Sequence, residues 1–166
     1  TTIVLLNAGH EATVHQIGNS VRIILESGIS PQTLFSDEAA TERTVEETLR
    51  ICAPVHIFQR WVLEPVEIDG VQFKRGDKVS LILAAANLDP SKFPDSLTFR
   101  PERNEGANVS FGAGIHFCIG APLARLELNL ALPLLFKRLP RLKIAEPPKV
   151  KDVYHFHGLE RLDLSW

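Results

Sequence analysis

Apolar positions recur at helical spacing through TTIVLLNAGHEATVHQIGNSVRIILES and predict one long helix over about Thr1–Ser27, buried on most faces, with Gly28 as its stop. After a turn at Ser30-Pro31, the spacing predicts a second helix over about Thr44–Cys52. It ends before Pro54, because proline cannot extend the hydrogen-bond ladder. The pattern then changes to short β-prone runs, HIFQRWVL, VEI, VQF and KVSLIL, with turn signals at Asp69-Gly70 and Gly76-Asp77 that predict the hairpins of a small sheet. Asn87–Asn108 is rich in Pro, Asp, Asn and Arg without periodicity and reads as a long loop, a kind of segment often kept for function. A glycine-rich loop follows, then an amphipathic helix over about Pro122–Leu139. The tail, Tyr154–Trp166, alternates like one more hairpin. The fold class is mixed α/β and mainly α, within one domain.

Composition narrows the function classes. At 166 residues and 45% apolar content the chain can bury a core, while a net charge of −2 with scattered Lys and Arg offers no basic stripe for nucleic acid. The apolar opening, Thr1 to Ala8, is too short to span a bilayer and has no signal-peptide flank, so no membrane association and a cytoplasmic location are expected. Cys52 and Cys118 in a chain without a secretory segment are read as separate thiols rather than a disulfide. The lack of Met and the start within a helix-patterned run lead us to expect a piece of a longer protein.

The chemistry concentrates in FGAGIHFCIG, where Gly112, Gly114 and Gly120 frame Cys118 immediately before a helix. Glycine permits positive φ and lets the backbone lie against a flat cofactor. A helix N-terminus favours an anionic sulfur, and a thiolate ligand pushes electron density onto haem iron and favours O–O cleavage. A buried core cysteine in a glycine turn is the plain alternative, but the ordered spacing of Phe111, Gly114, His116, Cys118 and Gly120 argues against it.

Here the chain resembles the cytochrome P450 family, most closely its soluble bacterial members. The resemblance covers nearly all 166 residues and implies the C-terminal portion of that fold, 1–166, from the distal oxygen-binding helix onward. It implies haem b (iron protoporphyrin IX) as cofactor, with Cys118 as proximal iron ligand, Phe111 packed near the sulfur, and His116 on a haem propionate. Gly112 and Gly120 would shape the loop against the haem. EETLR followed by FRPER matches the family's Glu-Arg-Arg cluster as Glu47, Arg50 and Arg103, which holds the fold and does no chemistry. Taken alone, Glu47 also fits a capping box with Thr44. Arg60 falls where soluble members keep an arginine for the second propionate, a surface-strand arginine being the alternative. Val55, His56 and Ile57 resemble a substrate-lining segment, apolar apart from His56.

AGHEAT resembles the distal oxygen-activation motif: Ala8 and Gly9 leave room for dioxygen, and Glu11 sits in the proton path. The usual proton-relaying threonine is replaced by Ala12, and the remaining hydroxyl, Thr13, lies about 100° further round the helix. The resemblance therefore implies a monooxygenase acting on an apolar small molecule, with electrons from a ferredoxin or flavodoxin. A zinc-protease reading of His10–His15 fails, because ligands five apart diverge by about 140° on a helix. A rival from another class is a truncated, non-catalytic remnant that binds no haem and acts as an interaction or structural protein.

Overall fold

The computed structural model describes residues 2–153 and 155–166, with side chains from residue 8 onward. Thr1 and Tyr154, expected to open the first helix and the last hairpin, lie outside the described residues. The long helix forms as α1 (Thr2–Ser27), and Gly28, at φ +70°, ends it in a conformation that costs glycine little. It is less enclosed than the pattern suggested. Ala8 to Glu11 are exposed and Val14 is 52% exposed, whereas Asn19, Ser20, Val21 and Ile24 are buried.

A short α2 (Pro31–Leu34) leads to α3 (Glu38–Cys52), which begins six residues earlier than expected. Asp37 is the N-cap and accepts from the Ala40 amide at 2.8 Å, a bond that holds its carboxyl below the usual range. Thr44 is therefore mid-helix and donates to the Leu34 carbonyl at 3.0 Å, so the capping-box reading of Thr44 and Glu47 fails.

β1 (Ile57–Trp61) and β4 (Lys78–Ile82) form an antiparallel ladder with Ile57 opposite Ile82 and Arg60 opposite Val79. Between them lies the hairpin of β2 (Val66–Ile68) and β3 (Val71–Phe73), turning at Asp69-Gly70 as expected. The run into Leu83 does not stay extended. Leu83–Asn87 is α4, where three alanines supply the strongest helix propensity available, so the long loop starts only after Asn87. The loop is tied down by buried Phe93 and Phe99.

α5 (Ala121–Arg138) carries Leu128, Leu132 and Phe136 into the core against α1 and α3. It is not amphipathic in the expected sense, since Leu123, Leu126, Leu130 and Leu134 are exposed on it. The tail is not a hairpin of its own either. β8 (Leu164–Ser165) pairs with β5 (Lys143–Ile144), and β7 (Leu159–Arg161) pairs with β6 (Lys149–Val150). Leu162-Asp163 offers no glycine or asparagine for a tight turn, while the 143–150 segment provides partner backbone for both strands. The whole is mainly helical with four two-stranded ladders, as the fold class predicted.

Candidate functional site

Glycine geometry shapes the loop before α5. Gly112 and Gly114 have φ of +72° and +66°, Gly114–His116 forms one 3₁₀ turn, and the Cys118 amide donates to the Phe111 carbonyl at 3.0 Å. Gly120 is the residue before α5, and a Cβ there would stand 3.8 Å from the Cys118 sulfur. Cys118 thus lies exposed, three residues ahead of a helix of 18 residues whose first amides have no intrahelical acceptor. Large apolar side chains crowd the same loop in exposed positions: Ile115 at 97%, Ile119 at 89% and Phe117 at 49%. Cys52, by contrast, is buried, and burial pushes its thiol up to about 12, so it is chemically inert.

Phe111 is held edge-on to Phe117 at 6.4 Å and beneath the Arg125 guanidinium at 4.7 Å. Arg125 is in turn paired with Glu46, at 2.5 and 3.1 Å. That hydrogen bond, with the Cys118 sulfur as a lesser contributor, strengthens its hold on its proton. Glu46 also accepts from the Asn108 side chain at 3.2 Å, so one carboxylate ties the start of the loop to the helix that follows it.

Directly behind this lies the cluster of Glu47, Arg50 and Arg103. Glu47 is buried and accepts two hydrogen bonds from Arg50 at 2.8 Å, one from Arg103 at 2.8 Å, and one from the Arg100 amide at 2.9 Å. The guanidiniums spend their remaining donors on loop carbonyls. Arg50 reaches those of Asn87 and Ser96, each at 2.8 Å, and Arg103 reaches those of Pro94, Asp95 and Thr98. Carbonyls of an irregular segment have no ladder partners, and here two arginines provide donors for them.

Asn87 links this cluster to the cysteine loop. Fully buried, it accepts from the Val109 amide at 2.8 Å and donates to the Ser110 hydroxyl at 2.7 Å, which donates to the Leu49 carbonyl at 2.7 Å. Sequence reasoning missed Asn87, Ser110, Glu46 and Arg125. Only the doubled acid of EETLR hinted at any of them, because their partners lie 22 to 79 residues away.

The other predicted residues are spread over two surfaces. His116 and Arg60 are exposed and make no side-chain ion pair among the described residues; Arg60 donates to the Gln59 carbonyl and lies 6.0 Å from the Phe58 ring. On α1, Ala8 and Gly9 are exposed, Ala12 and Thr13 are half-buried, and Glu11 lies 3.7 Å from His15, one turn on. The His15 ring fills the space above Gly158, where a Cβ would fall 2.2 Å from Nδ1.

Val55, His56 and Ile57 come together with the C-terminal segment. Val55 bridges to Phe156, the His157 amide donates to the Pro54 carbonyl at 2.7 Å, and the His56 and His157 rings stack at 4.5 Å and 19°. His56 and Ile57 face a cleft of about 410 Å³ shared with Ile82, Val150, Val153 and His157. Burial lowers the proton affinity of both imidazoles, and at His157 the neighbouring His56 and Arg22 lower it further.

Among the described residues no group of three or more His, Cys, Asp or Glu could hold a metal ion, and no helix is long and apolar enough to cross a membrane.

The family model described as Cytochrome P450 matches residues 37–160. The chain is 39% identical to the cytochrome P450 monooxygenase PikC of Streptomyces venezuelae over 98% of this chain and 40% of that protein. It is 36% identical to the biotin biosynthesis cytochrome P450 of Bacillus subtilis over 100% of this chain and 42% of that protein. Among solved structures, P450BioI in complex with hexadec-9Z-enoic acid ligated acyl carrier protein superposes with a TM-score of 0.95 at 37% identity, covering 100% of this chain and 44% of that one. The chain thus spans about two fifths of the length of these relatives. Motif, fold and relatives agree: this chain belongs to the cytochrome P450 family, a family of haem proteins.

Proposed function

We propose that the protein is a haem-thiolate monooxygenase that inserts one oxygen atom from dioxygen into an apolar small molecule, and that Cys118 is its iron ligand. The observation that carries this reading is an exposed thiol, framed by positive-φ glycines, at the start of α5 and ringed by exposed apolar side chains. Those features suit haem b: a flat apolar group needs an apolar bed, and its iron needs a thiolate that no neighbouring Cβ obstructs. When bound, the haem supplies the activation of dioxygen.

The chain's own residues have distinct tasks in this reading. Cys118 holds the iron, Phe111 shields the sulfur, and Gly112 and Gly120 keep the backbone low beside it. The exposed His116 and Arg60 are free to take the two propionates. Ala8 and Gly9 keep the distal side open. Glu11 and Thr13 deliver protons, since Ala12 has no hydroxyl, and His15 steadies Glu11 from one turn away. Ala12, Val55, His56 and Ile57 contact substrate. Glu47, Arg50 and Arg103 hold the scaffold. By family resemblance the electrons come from a ferredoxin or flavodoxin, in the cytoplasm.

The test is spectroscopic. Reduced protein under carbon monoxide should show the red-shifted Soret band of thiolate ligation; Cys118→Ser should abolish it and Cys52→Ser should leave it. A wild-type band in Cys118→Ser overturns the assignment. The second reading, an interaction protein without haem, is favoured by the exposed Leu123, Leu126, Leu130 and Leu134 of α5, a row suited to covering by another polypeptide. Colourless wild-type protein after expression with added haem precursor would select it.

A further inference from the structure

The cleft beside β1 and β4 contains more polarity than an apolar substrate needs. Ile57, Ile82, Val150 and Val153 give it an apolar lining, and Lys151 and Asp152 add one charge of each sign. The exception is His56 on His157, two stacked imidazoles in the same lining. Each neutral imidazole carries one N–H donor and one acceptor nitrogen, so the stacked pair offers both kinds of partner side by side. The His157 ring makes no hydrogen bond among the described residues and is available to a ligand.

We propose that this cleft selects substrates carrying a hydroxyl group, which donates to one imidazole of the stacked pair and accepts from the other. The proposal rests on the monooxygenase reading and deepens it, naming a hydroxyl-bearing apolar molecule as substrate class. A hydroxyl is the one common oxygen function that can both donate and accept. A ketone or ether can only accept, so it satisfies one imidazole N–H and leaves the facing acceptor nitrogen without a partner, the situation that sites built for hydrogen bonding reject most strongly. A carboxylate can only accept, and it meets rings whose imidazolium forms burial disfavours, with His56 and Arg22 adding to this at His157.

Three probes of equal chain length separate these cases: decan-1-ol, its isomer 1-methoxynonane, and decanoate. Calorimetric titration of the purified protein should show decan-1-ol binding about tenfold more tightly than 1-methoxynonane, with decanoate no tighter than the ether. The ring resonances of His56 and His157 should move on addition of the alcohol. In His56→Phe and His157→Phe, which keep a stacked aromatic but lose the nitrogens, the preference should shrink to within about twofold while ether binding persists. Equal binding of alcohol and ether by wild type, tightest binding of decanoate, no binding of any probe, or an undiminished preference in both variants overturns the proposal. The carbon monoxide spectrum reads the iron ligand independently. A thiolate band without alcohol preference sinks the cleft assignment alone, whereas alcohol preference without that band sinks the monooxygenase reading and leaves the hydroxyl site standing.

Discussion

Helices α3 and α5 invert the usual relation between hydrophobicity and burial. α3 is a polar sequence, EAATERTVEETLRIC, yet it buries Thr44, Glu47, Thr48 and Arg50; α5 is rich in leucine, yet leaves four leucines exposed. The polar groups of α3 can be buried because each has a partner. Thr48 accepts from Ser20 and donates to the Val45 carbonyl, Thr44 donates to Leu34, and the Glu47 carboxylate is saturated by two guanidiniums and an amide. The exposed leucines of α5 lie off the side that meets α1 and α3. Burial in this molecule follows from completed hydrogen bonds and available partners more than from residue type.

The comparison breaks most sharply at Glu47. Glu47→Ala leaves Arg50 and Arg103 facing each other without a counter-charge and should cost on the order of 3–5 kcal/mol, read by chemical denaturation. An unchanged midpoint would mean that the cluster is decoration. Within α5 a paired measurement sharpens the contrast. Leu132→Ala, at a fully buried position, should lose about 2–5 kcal/mol, and Leu130→Ala, 64% exposed, less than about 0.5 kcal/mol. Similar losses at both sites would show that the exposed row is packed in solution.

Gly158 tests packing rather than charge pairing. The His15 ring occupies the place of a Cβ, so Gly158→Ala should destabilise by roughly 1–3 kcal/mol, and His15→Ala in the same chain should relieve that cost. The smallest effect concerns pH. His56 and His157 have proton affinities lowered from the ordinary value of 6.5, so the unfolded chain binds protons more readily than the folded one. Stability is therefore full above that value and declines as pH falls below it toward the folded values. A melting temperature that drops between pH 7 and pH 5 should drop less in His56→Phe and His157→Phe. Identical slopes would remove the histidines from the account.

Much of the site could be read along the chain because its signals are local. Gly112, Gly114, Cys118 and Gly120 sit within nine residues, Glu47 and Arg50 are one helical turn apart, and Asp69-Gly70 marks its own turn. Helix starts and strand partners were harder. α3 begins at an Asp37 cap rather than near Thr44, α4 grows from an alanine run at the end of a strand, and the tail strands pair with 143–150 instead of with each other. The reason is physical: local propensity can compete at such points with ladders and caps whose partners are close in space but distant in sequence.

By itself the sequence determined the helix-loop-helix order, the cysteine loop and the acid-arginine spacing, since glycine conformations and i,i+3 pairing depend on near neighbours alone. Only the tertiary structure decided that Asn87 would bind the loop to the arginine cluster, that Arg125 and Glu46 would brace Phe111, and that His157 would stack on His56, 101 positions earlier in the chain. Such pairs exist only after the chain has closed long loops around a shared core, and nothing in the spacing of either partner announces the other.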